Sequence, residues 1–355
     1  MAKVSVIIAA YNVEEYIAET LDSAVSQTLK DIEIVVVDDC STDGTSGIIS
    51  EYAKTDERIK VVRHEENGGL VRVRQTGLKS STGEYVIFLD GDDKLSRDAC
   101  EKAYNAITAE NVDMLQFDFE LMFVPPARYS KTVEYDQHET RRAPGRKIMA
   151  TSKAGLLDEK TVGGTVNFTI WDKIYKRTLL EEAAAYVPDE YLNMAEDVLY
   201  SFIIQYHAHS FSFIPDRLYI YRYGCGMSTT TRRSERLLRS IAKNAYVYNY
   251  LSDFAKGVGS QNDCASALQR VQKQLYTHIV DAYTHSIDKE ERDFLLSEAL
   301  KYGNAEHLVL TLSEYLYSEL QGYRNSESYR IGMILTYIPR KIIWFLKRLF
   351  GKGDR

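Results

Sequence analysis

The first 120 residues alternate short apolar runs with longer stretches in which apolar residues recur every three or four positions. Short apolar runs predict β-strands, and the recurrence predicts amphipathic helices between them. The predicted strands are residues 4–9, 32–37, 59–62, 85–89 and 114–119. Because strands that alternate with helices form a sheet covered on both faces, this pattern predicts a Rossmann-like α/β fold with a mostly parallel sheet.

Beyond residue 124 the pattern weakens and then changes. Prolines and a run of charges first indicate loops around short elements. Regular segments return near 169–175, in a helix that starts near Ala195, and in a strand-like run at 211–223. The rest is helical, and one apolar stripe consists of Leu237, Leu238, Ile241, Ala245 and Tyr248. We therefore predict an α/β domain at 1–230 and a helical C-terminal domain at 231–355.

The C-terminal segment 331–350 is basic and amphipathic. Its apolar residues at helical spacing are Ile331, Ile334, Leu335, Ile338, Ile342, Phe345, Leu346 and Leu349. Its basic cluster consists of Arg340, Lys341, Lys347 and Arg348. The segment is too charged to span a bilayer, which takes ~20 apolar residues, but it suits the surface of an anionic leaflet with Trp344 at the interface. We expect contact with a membrane surface; the alternative is packing against the protein, and co-sedimentation with anionic vesicles distinguishes the two.

The charge balance argues against one class of partner. The 51 acidic side chains outnumber the 44 basic ones, whereas nucleic acid binding needs a net basic surface. The four cysteines are widely spaced, without a Cys-x-x-Cys pair, which is typical of a reducing cytoplasm. The apolar run at 4–10 lacks a cleavage-type site and predicts a strand rather than a secretion signal. The expected location is the cytoplasm, peripherally at the inner face of the cell membrane if the tail binds there.

Three of the predicted strands end in polar residues. The first strand leads into Tyr11 and Asn12, the second into 38–44, and the fourth into 90–93. In open α/β sheets ligands bind outside the carboxyl ends of the strands, so these loops are expected to line one crevice. A crevice that holds this many carboxylates needs a cation or hydrogen-bond donors to be stable.

Asp90 and Asp92 are separated only by Gly91, which keeps the turn tight. Carboxylate oxygens suit Mg²⁺ or Mn²⁺. Such a cation would also bind the diphosphate of a donor substrate and neutralise the charge that develops on this diphosphate when it leaves. The alternative is that the acidic turn merely ends the strand and caps the next helix. A second Asp pair after the strand at 32–37 favours the metal site.

Three segments, in order and spacing, resemble the signature blocks of family 2 glycosyltransferases. They are Ser-Val-Ile-Ile-Ala-Ala-Tyr-Asn at 5–12, Val-Asp-Asp-Cys-Ser-Thr-Asp-Gly-Thr at 37–45, and Gly-Glu-Tyr-Val-Ile-Phe-Leu-Asp-Gly-Asp-Asp at 83–93. The resemblance covers 3–230, strongly over the first hundred residues. It implies a GT-A fold, a nucleotide-diphospho-sugar donor, a divalent metal and inversion at the anomeric carbon. It also implies a nucleotide-sugar-binding part at 1–120 and an acceptor part at 121–230.

The resemblance further implies which residues hold the donor. Nucleotide-sugar contacts are implied for Ala9, Tyr11, Asp39, Arg74, Asp90, Gly91 and Arg222. Of these, Ala9 and Tyr11 would border the nucleobase, Asp39 would accept a hydrogen bond from it, and Arg74 would face the base or the diphosphate. Asp92 would be the principal metal ligand, with Asp90 beside it.

The chain departs from the family pattern at several positions. Ala9 replaces the usual Pro, Cys40 the usual Gly, and Gln75 the usual Asn beside Arg74. These changes put local loop geometry in doubt more than the reaction. For Arg74 the alternative to a donor contact is a solvated cation on a helix face. For Arg222, whose fork matches phosphate oxygens, it is a buried structural arginine.

Asp197 is the candidate general base. With Glu196 as a positioning neighbour it lies in Met-Ala-Glu-Asp-Val-Leu at 194–199, which resembles the Glu-Asp block that supplies the base in this family. An inverting transfer needs one carboxylate to deprotonate the acceptor hydroxyl, and a helix start keeps that carboxylate ionised. Alternatively, the pair serves only as N-terminal helix carboxylates. The segment 171–173 similarly resembles the stretch beneath the acceptor site.

The resulting prediction is an inverting, metal-dependent glycosyltransferase of cell-surface polysaccharide synthesis. The expected donor is a UDP-sugar, and the expected acceptor is a hydroxyl of a glycan or lipid-linked saccharide. A sugar nucleotidyltransferase is an alternative, but it needs a Gly-rich basic loop after the first strand. A catalytically inactive binding module is another, and intact Asp92 and Asp197 argue against it. A signalling receiver domain would carry its Asp pair after the first strand instead. The sequence does not name the sugar.

Overall fold

The computed structural model describes residues 2–124, 147–150, 153–157, 166–225, 234–285 and 289–324. The chain divides into two compact units. The first comprises Met1–Arg232 and Phe254–Ala267, and the second comprises Arg233–Asp253 and Leu268–Arg355. Phe254–Ala267 therefore belongs to the first unit, although it lies in the stretch predicted as the helical C-terminal domain.

A mixed β-sheet forms the centre of the first unit. Its strands are β1 (Val4–Ala10), β2 (Ile32–Asp38), β3 (Ile59–Arg63), β4 (Tyr85–Asp90), β5 (Lys94–Leu95), β6 (Met114–Phe123), β7 (Ile148–Met149), β8 (Lys173–Lys176) and β9 (Ser210–Tyr223). Within the described residues the strand order is β3-β2-β1-β4-β8-β6-β9-β5, and β7 pairs with β9. Neighbouring strands from β3 to β4 are parallel, whereas β8 is antiparallel to both of its neighbours. The carboxyl ends of β1, β2, β3 and β4 therefore lie at one edge.

Helices pack on both faces of this sheet. They are α1 (Ile17–Val25), α2 (Thr45–Thr55), α3 (Gly69–Ser80), α4 (Ala99–Glu110), α5 (Arg177–Ala184) and α6 (Glu196–His207). Val6 and Ile8 of β1 lie in one buried cluster with residues of α1, α2 and α4. Ile7 points to the other face, where a Cβ on Gly77 of α3 would lie 2.2 Å from its side chain. Burial on both faces explains why the parallel strands are continuous apolar runs.

The predicted fold class is confirmed. The five predicted strands are β1, β2, β3, β4 and β6, the run at 211–223 is β9, and the helix near Ala195 is α6. The strands β5 and β7 were not predicted, because two residues are too short to show a period. The antiparallel strand β8 follows the irregular middle of the chain, where periodicity alone did not determine a direction.

The C-terminal region is helical, as predicted. Its helices are α7 (Glu235–Ala242), α8 (Asn244–Gly257), α9 (Ala265–Thr284), α10 (Lys289–Tyr302) and α11 (Ala305–Arg324). Leu238, Ile241 and Ala245 of the predicted stripe are buried. No helix in the described ranges combines the length and apolarity needed to cross a bilayer. The predicted tail at 331–350 lies outside the described residues.

Candidate active site

The acidic turn 90–93 follows β4 and is held against the end of β1. Asp90 pairs with Ala9 in the parallel ladder. The hydroxyl of Thr20 on α1 lies 2.9 Å from the Gly91 carbonyl oxygen and 2.8 Å from that of Asp93. A Cβ on Gly91 would lie 2.6 Å from the Ala9 carbonyl oxygen, so the turn requires glycine for this close approach.

The Gly91→Ala variant is therefore expected to disturb the turn. The methyl group has to displace backbone of β1, which costs about 1–3 kcal/mol of unfolding free energy and moves Asp90 and Asp92. Urea unfolding measures the first effect, and binding of UDP in the presence of Mn²⁺ measures the second. The matched control is Gly47→Ala, since a Cβ at Gly47 on α2 meets no atom within 4 Å. The control should keep or raise stability, whereas equal behaviour of the two variants would contradict the close-approach argument.

The three aspartates of the turn have different environments. Asp93 is buried, and its carboxylate accepts hydrogen bonds from the Tyr219 hydroxyl at 2.7 Å and from the Arg222 backbone N–H at 2.6 Å. Burial raises the pKa of Asp93 well above its ordinary range, and the neighbouring Asp92 and Asp90 raise it further. Asp93 is thus a structural residue that joins the turn to β9.

Asp90 and Asp92 are the partly exposed carboxylates of the turn. Burial raises the pKa of Asp90 to about 6, Arg74 opposes this, and Asp197 and Asp92 add to it. Burial likewise raises the pKa of Asp92, whose Oδ2 accepts a hydrogen bond from the Cys225 thiol at 3.5 Å. Negative charge is therefore in excess at this end of β4.

Such a donor set fits a hard divalent cation, because carboxylate oxygens are its preferred ligands and the excess charge would be neutralised. Within the described ranges, no three His, Cys, Asp or Glu side chains are placed to hold a metal ion together. Mg²⁺ and Mn²⁺ sites that serve nucleotides need only one or two carboxylates, because substrate phosphates and water complete the shell. Asp90 and Asp92 meet that requirement.

Arg74 on α3 lies among carboxylates from three parts of the chain. Its side chain is only 2% exposed, which excludes the solvated helix-face interpretation. Its Nη1 donates to Asp197 Oδ1 at 2.6 Å and lies 3.8 Å from Glu196 Oε1, and its Nη2 lies 3.6 Å from Asp90 Oδ1. Burial lowers the pKa of Arg74, but these carboxylates outweigh it and raise the pKa above its ordinary value. The guanidinium connects the acidic turn with α6.

The carboxylates of Glu196 and Asp197 lie in the first turn of α6, after Ala195 with a left-handed φ of 61°. Burial raises the pKa of Glu196 above its ordinary value, the neighbouring Asp197 adds to this, and Arg74 opposes it. Asp197, whose side chain is 25% exposed, is the carboxylate that pairs with Arg74 and remains accessible.

Asp39, after β2, holds the start of α3. Its Oδ1 accepts a hydrogen bond from the Gly68 N–H at 2.8 Å and lies 2.7 Å from His64 Nδ1, and its Oδ2 accepts one from the Gly69 N–H at 2.8 Å. A carboxylate oxygen accepts two hydrogen bonds, so Oδ2 retains capacity for one more. His64 was not predicted as a site residue, although it directly follows β3 and the strand-end rule applied to it as well.

Ala9 and Tyr11 lie partly exposed at the end of β1, beside the loop that follows β2. The side-chain carbonyl of Asn12 accepts a hydrogen bond from the Thr42 N–H at 2.8 Å and ties the two strand ends together. Cys40, which replaces the usual glycine, has a φ of 65°. The loop thus keeps the left-handed conformation that glycine favours, at a cost of roughly 1–2 kcal/mol.

Arg222 near the end of β9 is buried and held by protein groups. Its Nε donates to the Asp92 carbonyl oxygen at 2.7 Å, its Nη2 donates to Glu19 at 3.1 Å, and the guanidinium lies 4.6 Å from the centre of the Tyr16 ring. Arg222 therefore supports the acidic turn from β9. Neither Glu19 nor Tyr16 was singled out by the sequence analysis, because nothing in the helical pattern of α1 distinguishes them.

The segment 171–173 supports the same region from β8. The Asp172–Lys173 pair is fully buried, with Lys173 Nζ 2.6 Å from Asp172 Oδ1. The Trp171 ring stacks on Tyr221 at 5.4 Å and lies 4.7 Å from Tyr219, whose hydroxyl binds Asp93. By resemblance, this segment was expected beneath the acceptor site; in the structure, aromatic contacts connect it to the acidic turn.

Comparison with known proteins identifies the family of the first part of the chain. Residues 5–168 match the model of glycosyl transferase family 2. The chain is 33% identical over 220 residues to the putative glycosyltransferase EpsH of Bacillus subtilis, covering 62% of this chain and 60% of EpsH. The chain thus spans about 60% of the length of the curated relatives that it matches first. Residues 5–168 therefore carry a glycosyltransferase family 2 domain.

Solved structures establish the likeness of the fold. The Staphylococcus aureus protein TarS, residues 1–349 in complex with UDP-GlcNAc, superposes with a TM-score of 0.54 at 22% identity, over 89% of this chain and 92% of that one. The mannosyltransferase PcManGT of Pyrobaculum calidifontis, in complex with GDP-Man and Mn²⁺, gives 0.51 at 19% identity, over 99% of this chain and 88% of that one. The fold of the first unit is therefore GT-A.

Proposed function

We propose that this protein is an inverting, metal-dependent glycosyltransferase. It moves a sugar from a nucleotide-diphospho-sugar to a hydroxyl of a glycan or lipid-linked acceptor in cell-surface polysaccharide synthesis. The single observation that carries the proposal is the arrangement around Arg74, where Asp90 of the acidic turn and Asp197 of α6 flank one guanidinium. Residues 1–120 would serve the donor and 121–230 the acceptor.

In this reaction the two groups of carboxylates have separate tasks. A divalent cation held by Asp90 and Asp92 would neutralise the charge that develops on the departing diphosphate. Asp197 accepts the proton of the acceptor hydroxyl as its oxygen attacks the anomeric carbon. The bond from that carbon to the diphosphate oxygen breaks as the new glycosidic bond forms. Attack from the face opposite the leaving group inverts the anomeric centre.

We propose a UDP-sugar as the donor. The remaining acceptor capacity on Asp39 Oδ2 suits a base with a ring N–H, which uracil and guanine carry and cytosine and adenine lack. A relative of this fold was solved with UDP-GlcNAc and another with GDP-Man and Mn²⁺, so both bases are used by similar proteins.

The test is thermal stabilisation by UDP, GDP, CDP and ADP, each with and without Mn²⁺ or Mg²⁺. We expect UDP with metal to stabilise the chain by about 2.7 kcal/mol at a concentration of 100 times its dissociation constant. Asp92→Ala should remove the metal-dependent part of this stabilisation and nothing else. If UDP had the same effect with and without metal, or if neither UDP nor GDP stabilised the chain, the proposal would be wrong.

Peripheral membrane contact through the basic tail is also part of the proposal. It rests on the sequence pattern at 331–350 alone, since this segment lies outside the described residues. A lipid-linked acceptor would explain why such an enzyme carries a membrane-binding segment.

A further inference from the structure

The side chain of Arg74 is placed to act on the general base. Its shortest contact is the hydrogen bond from Nη1 to Asp197 Oδ1, at 2.6 Å. Asp90 Oδ1 lies 1 Å further from the guanidinium, at 3.6 Å from Nη2. A charge-assisted hydrogen bond of 2.6 Å fixes the rotamer of a carboxylate far more firmly than a looser ion pair does. The strongest contact of Arg74 is therefore with the residue that takes the proton.

The geometry leaves Asp197 able to react. Arg74 binds Oδ1, and the side chain of Asp197 is 25% exposed, so Oδ2 is the oxygen that we assign to the acceptor proton. Glu196, the other carboxylate of the same helical turn, lies 3.8 Å from Arg74 and is more deeply buried. Of these two carboxylates, Asp197 lies nearer to the guanidinium and is the one to which Arg74 donates a hydrogen bond.

Both partners of this pair are held by one packed region. Asp39 accepts hydrogen bonds from the N–H groups of Gly68 and Gly69, which fixes the beginning of α3. Gly69 in turn packs tightly on the segment before α6, since a Cβ there would lie 3.0 Å from Asn193 Oδ1 and 3.1 Å from the Leu192 carbonyl oxygen. The distance between Arg74 and Asp197 is thus set by direct contact between the beginnings of their helices.

We propose that Arg74 is a positioning residue for the general base Asp197, and not a contact of the donor nucleotide. This inference rests on the proposed function, because it needs Asp197 to be the base. It changes the assignment made by resemblance, in which Arg74 faces the base or the diphosphate. The two assignments differ in which measurement they affect. A donor contact acts on nucleotide affinity, whereas a positioning residue acts on turnover.

The test separates affinity from turnover. For Arg74→Gln we expect the dissociation constant of UDP, measured with Mn²⁺ by calorimetry, to stay within about threefold. The rate at which UDP is produced from the UDP-sugar that stabilises the chain most should fall about 100-fold, because the base is no longer oriented. The rate for Arg74→Lys should lie between those of the wild type and Arg74→Gln, because an ammonium keeps the charge but lacks the planar fork. Normal UDP binding by each variant shows that its donor site is folded.

Arg72→Gln is the matched control. It lies on the same helix, is 40% exposed and pairs with the exposed Glu66, so its loss should change neither quantity. A double-mutant cycle completes the experiment: in an Asp197→Asn background, Arg74→Gln should cost no further turnover.

A tenfold or greater rise in the UDP dissociation constant for Arg74→Gln, or additive losses in the cycle, would overturn the inference. A wild-type chain that releases no UDP from any UDP-sugar would instead contradict the proposed function. In that case the UDP dissociation constants of wild type and Arg74→Gln still decide whether Arg74 touches the nucleotide.

Discussion

Asp197→Asn is expected to lower the turnover of sugar transfer by roughly 10³-fold while UDP still binds with Mn²⁺ as in the wild type. The amide has the shape of the carboxylate but cannot take a proton, and general base catalysis contributes typically 10²–10⁴-fold. Asp197 lies beside Arg74 rather than in the acidic turn, so its loss leaves Asp90 and Asp92 in place. Steady-state rates give the first quantity, and calorimetric titration gives the second.

The matched control for this variant is Asp189→Asn. Asp189 is 78% exposed and lies 3.7 Å from Arg72, so the same chemical change there should leave turnover unaltered. Normal turnover of Asp197→Asn would show that another group is the base. A parallel loss of turnover and of UDP binding would show instead that Asp197 belongs to the donor site.

The second large effect is on stability. Lys173→Met is expected to lower the free energy of unfolding by about 3–5 kcal/mol, because it removes the positive charge that pairs with the buried carboxylate of Asp172. Lys173 Nζ donates to Asp172 Oδ1 at 2.6 Å and to the Thr169 carbonyl oxygen at 2.7 Å. Asn167 and Gln116 donate hydrogen bonds to Oδ2, the other carboxylate oxygen of Asp172, so both oxygens of this carboxylate accept hydrogen bonds. Urea unfolding followed by circular dichroism measures the loss.

Lys176→Met is the control for Lys173→Met on the same strand. Lys176 is paired at 3.1 Å with Asp113, but both side chains are partly exposed to solvent. Such a pair contributes about 0–1 kcal/mol, so the control should lose little stability. Equal losses for the two variants would mean that burial of the Asp172–Lys173 pair does not determine its contribution to stability.

Lys173→Met should also weaken the support of the acidic turn. Trp171 directly precedes the Asp172–Lys173 pair and packs on Tyr219 and Tyr221.

Many residues of the proposed donor site could be predicted from local sequence patterns. Buried parallel strands are continuous apolar runs, and the polar residues that follow β2 and β4 meet because parallel strands end at the same edge. Asp39, Asp90 and Asp92 were found in this way. The same rule applied to His64 after β3, where a single histidine among charged residues carried too little signal to be noticed.

The roles within the acidic turn depend on contacts that the local pattern does not contain. Asp92 and Asp93 are adjacent and chemically identical, yet Asp93 is bound by Tyr219 and by the Arg222 backbone, while Asp92 is left partly exposed. Both partners come from β9, more than 120 residues later in the chain. Hydrogen-bond saturation and burial decide which carboxylate is open to a ligand, and both are properties of the packed chain.

Arg74 shows the same division between sequence and structure. The sequence placed it on a helix and offered a donor contact or a solvated cation, because a helical period shows a face and not what covers that face. The structure joins it to Asp197, 123 positions away, through a hydrogen bond that exists only after α3 and α6 have packed together. Order, spacing and period therefore determined the family resemblance, the fold and the carboxylates at the strand ends. Packing alone determined that the guanidinium of Arg74 pairs most closely with Asp197, because electrostatic pairing follows distance in space and not distance along the chain.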